Sequence, residues 1–166
     1  MIEVTIHSLG VDQDNDQPVI VLRSVEDHRV LPIWIGGPEA TAILLRVQQV
    51  ELPRPLTHDL LHNLILALGF MVERIEITDL RESTFYANIV LFDGSNTVEL
   101  DARPSDSIAL AVRAGCPIFV ADTVMEQAGR EALPEDEIDE EQEEAEVERF
   151  REFLDQVDPE DFASSS

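Results

Sequence analysis

Acidity divides this chain into two parts that cannot follow one folding rule. Residues 1–130 carry 19 acidic side chains against nine arginines, whereas residues 131–166 carry 16 acids against two arginines, with the break near Pro134. Like charges at the second density repel and stay hydrated, so a run such as Glu140, Glu141, Glu143 and Glu144 reads as a solvated segment. A buried core must therefore come from residues 1–130, enough chain for one domain. With 44% apolar residues overall, the chain is expected to fold. The acidic segment is not uniformly polar. Val147, Phe150, Leu154 and Val157, with Phe153 beside them, predict a narrow amphipathic helix around 143–157, either docked on the domain or offered to a partner.

Composition removes several functions. All 11 basic residues are arginine, so Schiff-base and P-loop chemistries, which need a lysine amine, are excluded, and no organic cofactor is expected. A single cysteine cannot form an internal disulfide and fits a reducing compartment. Met1–Gly10 lacks the basic and apolar regions of a signal peptide, and no apolar run is long enough to span a membrane. A soluble cytoplasmic protein with no membrane partner is the expectation. A formal net charge of −24 repels phosphate backbones. Contact with nucleic acid would need a local arginine cluster or a divalent ion.

Alternation at Ile2, Val4 and Ile6 predicts a half-buried strand, followed by a polar loop from Asp12 to Gln17 and strands at 18–22 and 30–35. Gly36-Gly37-Pro38 then opens a helix with Ala40, Ile43, Leu44, Val47 and Val50 on one face, ended by Pro53 and Pro55. Thr57 is the expected N-cap of a second helix, with Asp59 in its first turn, Gly69 just past its end, and an apolar face of Leu60, Leu61, Leu64, Ile65 and Leu68. Strands at 71–77 and 85–92 follow, and Asp93-Gly94 turns the chain into a strand at 97–101. Pro104 suits the first position of a third helix that stops at Gly115. A short strand at 118–120 and a short helix capped by Thr123 complete the domain. Hairpin groups interrupted by helices predict an α+β fold, with a mixed or antiparallel sheet, about three packed helices, and the acidic C-terminal segment beyond them.

Several motifs lose their function on inspection. Asp12, Asp14 and Asp16 begin like a calcium loop, but Gln17 and Arg23 stand where glycine and glutamate are needed. His58 and His62 share a helix face, yet Asp59 replaces the glutamate of a zinc-protease motif and no third ligand is in view. Ser105 lacks a nucleophile elbow. Cys116 reads as a small buried residue. Trp34 reads as core or oligomer interface, and nine aromatics in all are few for base stacking. The densest polar cluster is Asp101-Ala102-Arg103-Pro104-Ser105-Asp106-Ser107, at a strand-to-helix junction. First-turn amides there bind oxyanions, Arg103 supplies a phosphate fork, and Asp101 with Asp106 could hold a divalent ion. The same residues could equally be capping their own helix.

Three segments together resemble the bifunctional nuclease family. They are Leu31-Pro32-Ile33-Trp34-Ile35-Gly36 with Glu39-Ala40; Arg54-Pro55-Leu56-Thr57-His58-Asp59-Leu60; and Arg103-Pro104-Ser105-Asp106-Ser107-Ile108-Ala109-Leu110-Ala111 followed by Pro117-Ile118. The resemblance covers about residues 1 to 130 and implies a compact α+β domain, nuclease activity on DNA and RNA, and homodimerisation. Its motif positions fall on Glu39, Arg54, His58, Asp59, Arg103, Ser105 and Asp106.

Two functional readings follow. In the first, a metal-assisted phosphodiesterase holds Mg²⁺ or Mn²⁺ on Asp101 and Asp106, joined by Glu39 or Asp59. Arg103 and Arg54 clamp phosphate beside Ser105, and His58 moves a proton. In the second, the chain is a non-catalytic homodimer whose acidic segment binds a basic partner or covers its own site.

Overall fold

The computed structural model describes residues 1–132 together with Glu152. The amphipathic stretch at 143–157 lies outside the described residues, apart from Glu152.

Eight strands form one sheet: β1 (Ile2–Val11), β2 (Pro18–Ser24), β3 (Arg29–Trp34), β4 (Met71–Arg81), β5 (Thr84–Phe92), β6 (Thr97–Ala102), β7 (Ile118–Val120) and β8 (Arg130–Glu131). Their order is β6-β5-β4-β7-β1-β2-β3-β8. Every pairing is antiparallel except β4 with β7, so the sheet is mixed and the fold is α+β. Two antiparallel groups, β1-β2-β3 and β4-β5-β6, are joined through the short β7. That strand is buried because Ile118 and Val120 enter the core from between Ile75, Ile77, Ile2 and Val4.

Four helices accompany the sheet: α1 (Gly37–Val47), α2 (Thr57–Ala67), α3 (Pro104–Ala114) and the short α4 (Asp122–Ala128). Pro104 does occupy the first position of α3, and Gly115 ends it with φ of 69°, a conformation that favours a residue without Cβ. Small side chains let α3 sit deep. Ser105, Ser107, Ala109 and Ala111 are buried along with Ile108 and Leu110, and α1, α2, β4 and β5 all pack on this one helix.

Several expectations need correction. Leu56, not Thr57, is the N-cap of α2, because the Asp59 carboxylate accepts the Leu56 N–H at 2.8 Å and does the capping from inside the helix. Ala121, not Thr123, precedes α4. Helix α1 ends at Val47, since Gln49 turns to a positive φ of 55° before the prolines are reached. Trp34 is 42% exposed and donates its indole N–H to Asp12 Oδ2, so it is not a core residue. Strand β4 runs on to Arg81, where Glu82 and Ser83 make a tight turn with both φ values positive. The apolar stripe of α2 is only half used. Ile65 is buried and Leu61 partly so, but Leu60, Leu64 and Leu68 are 61%, 52% and 69% exposed.

Candidate active site

The first turns of three helices converge on one place. Glu39 stands in the first turn of α1, His58 in that of α2, and Asp106 in that of α3, with Arg103 as the residue preceding α3. Because α1 and α2 both pack on α3, residues far apart in sequence meet. His58 Nε2–H donates to Asp106 Oδ1 at 2.9 Å, Arg103 Nε–H donates to Asp106 Oδ2 at 2.6 Å, and Arg103 Nη2–H donates to Glu39 Oε1 at 2.8 Å. The result is a continuous chain, His58–Asp106–Arg103–Glu39.

Each link has a local cause. Gly36 leaves room for the Glu39 carboxylate, since a Cβ there would stand 2.2 Å from Glu39 Oε2 and push the carboxylate aside. Ser107 donates its hydroxyl to the Arg103 carbonyl at 2.9 Å and fixes the backbone from which Arg103 departs. Asp106 is pulled in two directions. Partial burial raises its pKa, while the hydrogen bonds from Arg103 and His58 lower it, and the balance holds it below the ordinary carboxylate value. Asp106 is therefore ionised at neutral pH. It accepts the proton on Nε2 of His58, which leaves Nδ1 as the basic ring nitrogen when the ring is neutral.

Exposure along the chain peaks at Arg103, with both ends sheltered. The His58 side chain is only 12% exposed and that of Arg103 is 66% exposed. Arg103 is thus held along one edge by two carboxylates and shows its remaining N–H groups to solvent. With neutral His58 the four side chains sum to one negative charge. Protonating the imidazole brings the sum to zero, and three positive helix ends add to the attraction for an anion.

The other predicted residues lie elsewhere. Asp59 faces the far end of α3, where Arg113 Nε–H donates to its Oδ1 at 2.6 Å. Burial raises the Asp59 pKa, and hydrogen bonds from Leu56 and Arg113 more than offset it. Arg54 lines a cleft with Asp59 and Arg113, apart from the chain of His58, Asp106, Arg103 and Glu39. Asp101 is exposed on β6, and Ser105 is 6% exposed. The carboxylates expected to share a metal are therefore divided, and among the described residues no three His, Cys, Asp or Glu side chains form a group able to hold a metal ion. Glu39 and Asp106 each accept from Arg103, whose guanidinium stands between them.

Sequence reasoning missed Arg113. Its side chain is 4% exposed and also donates to the carbonyls of Ala109 at 2.7 Å and Ala42 at 3.1 Å, tying α1, α2 and α3 together. The available signal was an arginine one step after the run Ile108-Ala109-Leu110-Ala111-Val112, on a helix with little room for a charge. His62 is likewise placed by the structure near Arg46, Arg113 and Asp59. Burial first, and then the two arginines, lower its pKa, so it is neutral at pH 7. Burial of Cys116 pushes its thiol up to about 11, consistent with an unreactive packing role.

A mixed sheet of an α+β fold thus carries an imidazole–carboxylate–guanidinium chain at converging helix ends. Residues 20–132 match the family model of the bifunctional nuclease domain, and the chain belongs to that family. A protein of Mycobacterium tuberculosis strain H37Rv, described as uncharacterized, is 50% identical over 167 residues, covering 98% of this chain and 99% of that protein. Bifunctional nuclease 2 of Oryza sativa subsp. japonica is 29% identical over 116 residues, covering 67% of this chain and 35% of its own length. Bifunctional nuclease 1 of Arabidopsis thaliana is 29% identical over 108 residues, covering 62% of this chain and 33% of its own length. This chain thus spans about a third of those plant proteins.

Proposed function

We propose that the chain is a nuclease that hydrolyses phosphodiester bonds at the His58–Asp106–Arg103–Glu39 chain. The observation that carries this reading is the convergence of those four side chains at three helix N-termini, supported by membership of a family named for nuclease activity. In this reading Asp106 orients His58 through Nε2–H and stabilises the imidazolium. His58 takes a proton from water through Nδ1 as the water oxygen attacks phosphorus. The bond from phosphorus to the leaving oxygen breaks, that oxygen takes up a proton from solvent water, and His58 afterwards returns its proton to solvent. Arg103 neutralises charge on the phosphoryl oxygens, and Glu39 sets the guanidinium plane. A divalent ion such as Mg²⁺ or Mn²⁺, when bound, would take Glu39 or Asp106 as a ligand and would polarise the phosphodiester.

The test is cleavage of labelled single-stranded RNA and DNA by the wild type and His58→Gln, each with Mg²⁺, Mn²⁺ or EDTA. Loss of a proton-transfer group should lower the rate about 100-fold or more. Equal cleavage by both proteins would remove His58 from the chemistry.

A homodimer is favoured by a separate observation, the exposed Leu60, Leu64 and Leu68 on α2 with Met71 beside them. No helix among the described residues is long and apolar enough to cross a membrane.

A further inference from the structure

Arginine pairing is uneven across the described residues. Arg29, Arg74, Arg81, Arg103 and Arg113 each hold a carboxylate, and Arg23 contacts His28. Among the described residues Arg46 and Arg54 form no hydrogen bond or ion pair, although Arg46 stands near enough to Asp59 to help lower its pKa, and both line the same cleft of about 690 Å³. In residues 1–130, where acids outnumber arginines by ten, two guanidiniums without a hydrogen-bonded carboxylate in one concavity are a local reversal of the field.

The cleft lies between the end of α1, the 48–56 loop, the start of α2 and the end of α3. Its floor is Arg113, whose charge is already balanced by Asp59. Glu51 is the other carboxylate of the lining, so Arg46 and Arg54 leave a net positive charge. Val50, Leu52 and Pro55 supply apolar wall, so the lining combines charge for a phosphate with carbon surface for a sugar or base face.

Helix α3 fixes the distance to the reacting centre. Asp106 and Arg113 are seven positions apart on it, about 10 Å at helical rise. A single strand spans that distance within a few nucleotides. We propose that the Arg46–Arg54 cleft is a backbone-phosphate subsite for a single nucleic-acid strand, a few nucleotides from the phosphate held at Arg103. The inference rests on the nuclease reading and adds to it a second contact and a substrate-length dependence. Arg46 and Arg54 bind and do not react.

The experiment compares the full-length wild type, the double variant Arg46→Gln/Arg54→Gln and the control Arg130→Gln. Arg130 also has no ion pair among the described residues, but it stands on β8 at the opposite edge of the sheet from β6. Thermal melts establish that each protein is folded. Binding of a fluorescein-labelled single-stranded RNA is then followed against salt. Two lost phosphate contacts should weaken binding about tenfold and reduce the salt slope by about 1.4, at about 0.7 per contact for a single strand. Arg130→Gln should match the wild type. In cleavage, KM should rise more for a long oligonucleotide than for a dinucleotide, with kcat nearly kept. Unchanged binding and salt slope in the double variant overturns the subsite, and so does an equal KM change for both lengths. If the double variant loses binding although no protein cleaves, the subsite stands and the nuclease reading falls. If all three cleave and bind alike, the nuclease reading stands and the subsite falls.

Discussion

Helices α2 and α3 have the same length, 11 residues, and each places a functional side chain in its first turn, yet they occupy opposite environments. Helix α3 is buried nearly all round, with small residues at Ser105, Ser107, Ala109 and Ala111 that admit its neighbours. Helix α2 lies on top of it and exposes Leu60, Leu64 and Leu68. The difference separates two jobs. Helix α3 is the rigid member that holds Arg103, Asp106 and Arg113 at fixed spacing, whereas α2 brings His58 and Asp59 to it on one face and shows an unused apolar face on the other.

The comparison breaks most visibly at the joint between the two helices. Arg113→Met removes the hydrogen-bonded charge partner of Asp59, leaving it only the weaker influence of Arg46, and takes a second donor from two helix carbonyls, so it should cost about 3 kcal/mol. Chemical denaturation of the variant and wild type checks this, and a cost under about 1 kcal/mol would mean that Arg113 is not the tie. Acid sharpens the same point. The folded pKa values of Asp59 and Asp106 lie below their ordinary 3.8, so their stabilisation is present above that pH and is lost as the pH falls through the folded values. Asp59→Asn should therefore flatten part of the fall in melting temperature below about pH 4, leaving the share of Asp106 and of the surface carboxylates Asp12, Asp27, Asp79, Asp93 and Asp122, whose pKa values are lowered as well. A substitution on the outer face should have the smallest effect on the fold. Leu64→Glu should change stability by under about 0.5 kcal/mol. It should convert a dimer to a monomer in sedimentation, and an unchanged mass would place the dimer contact elsewhere or nowhere.

Local signals were legible and remote ones were not. Pro104, Gly69, Gly115 and the Asp93-Gly94 turn act through their own backbone preferences, and the structure shows each where the pattern puts it. The Glu82-Ser83 turn was hidden because neither residue favours a positive φ, and only the pairing of β4 with β5 holds it there. Val47 and Val50 fit a helical period but not a core, since periodicity says which residues share a face and not whether anything covers it. The polar cluster at Arg103 was visible as a junction motif. Glu39 lies 64 positions from its partner Arg103 and His58 lies 48 from its partner Asp106, and that meeting depends on two helices packing on a third. The parallel pairing of β4 with β7 and the burial of Arg113 are tertiary facts of the same kind.

The central claim is that Asp106 serves chemistry by holding His58 and Arg103, and is not merely the first-turn carboxylate of a helix. The direct measurement is single-turnover RNA cleavage by Asp106→Asn beside the wild type, with thermal melts of both. The account predicts a rate lower by about 100-fold or more with the melting temperature nearly kept, because the amide is isosteric but cannot carry the charge that supports the imidazolium. Full activity in the folded Asp106→Asn variant would contradict it and return the cluster to a capping role.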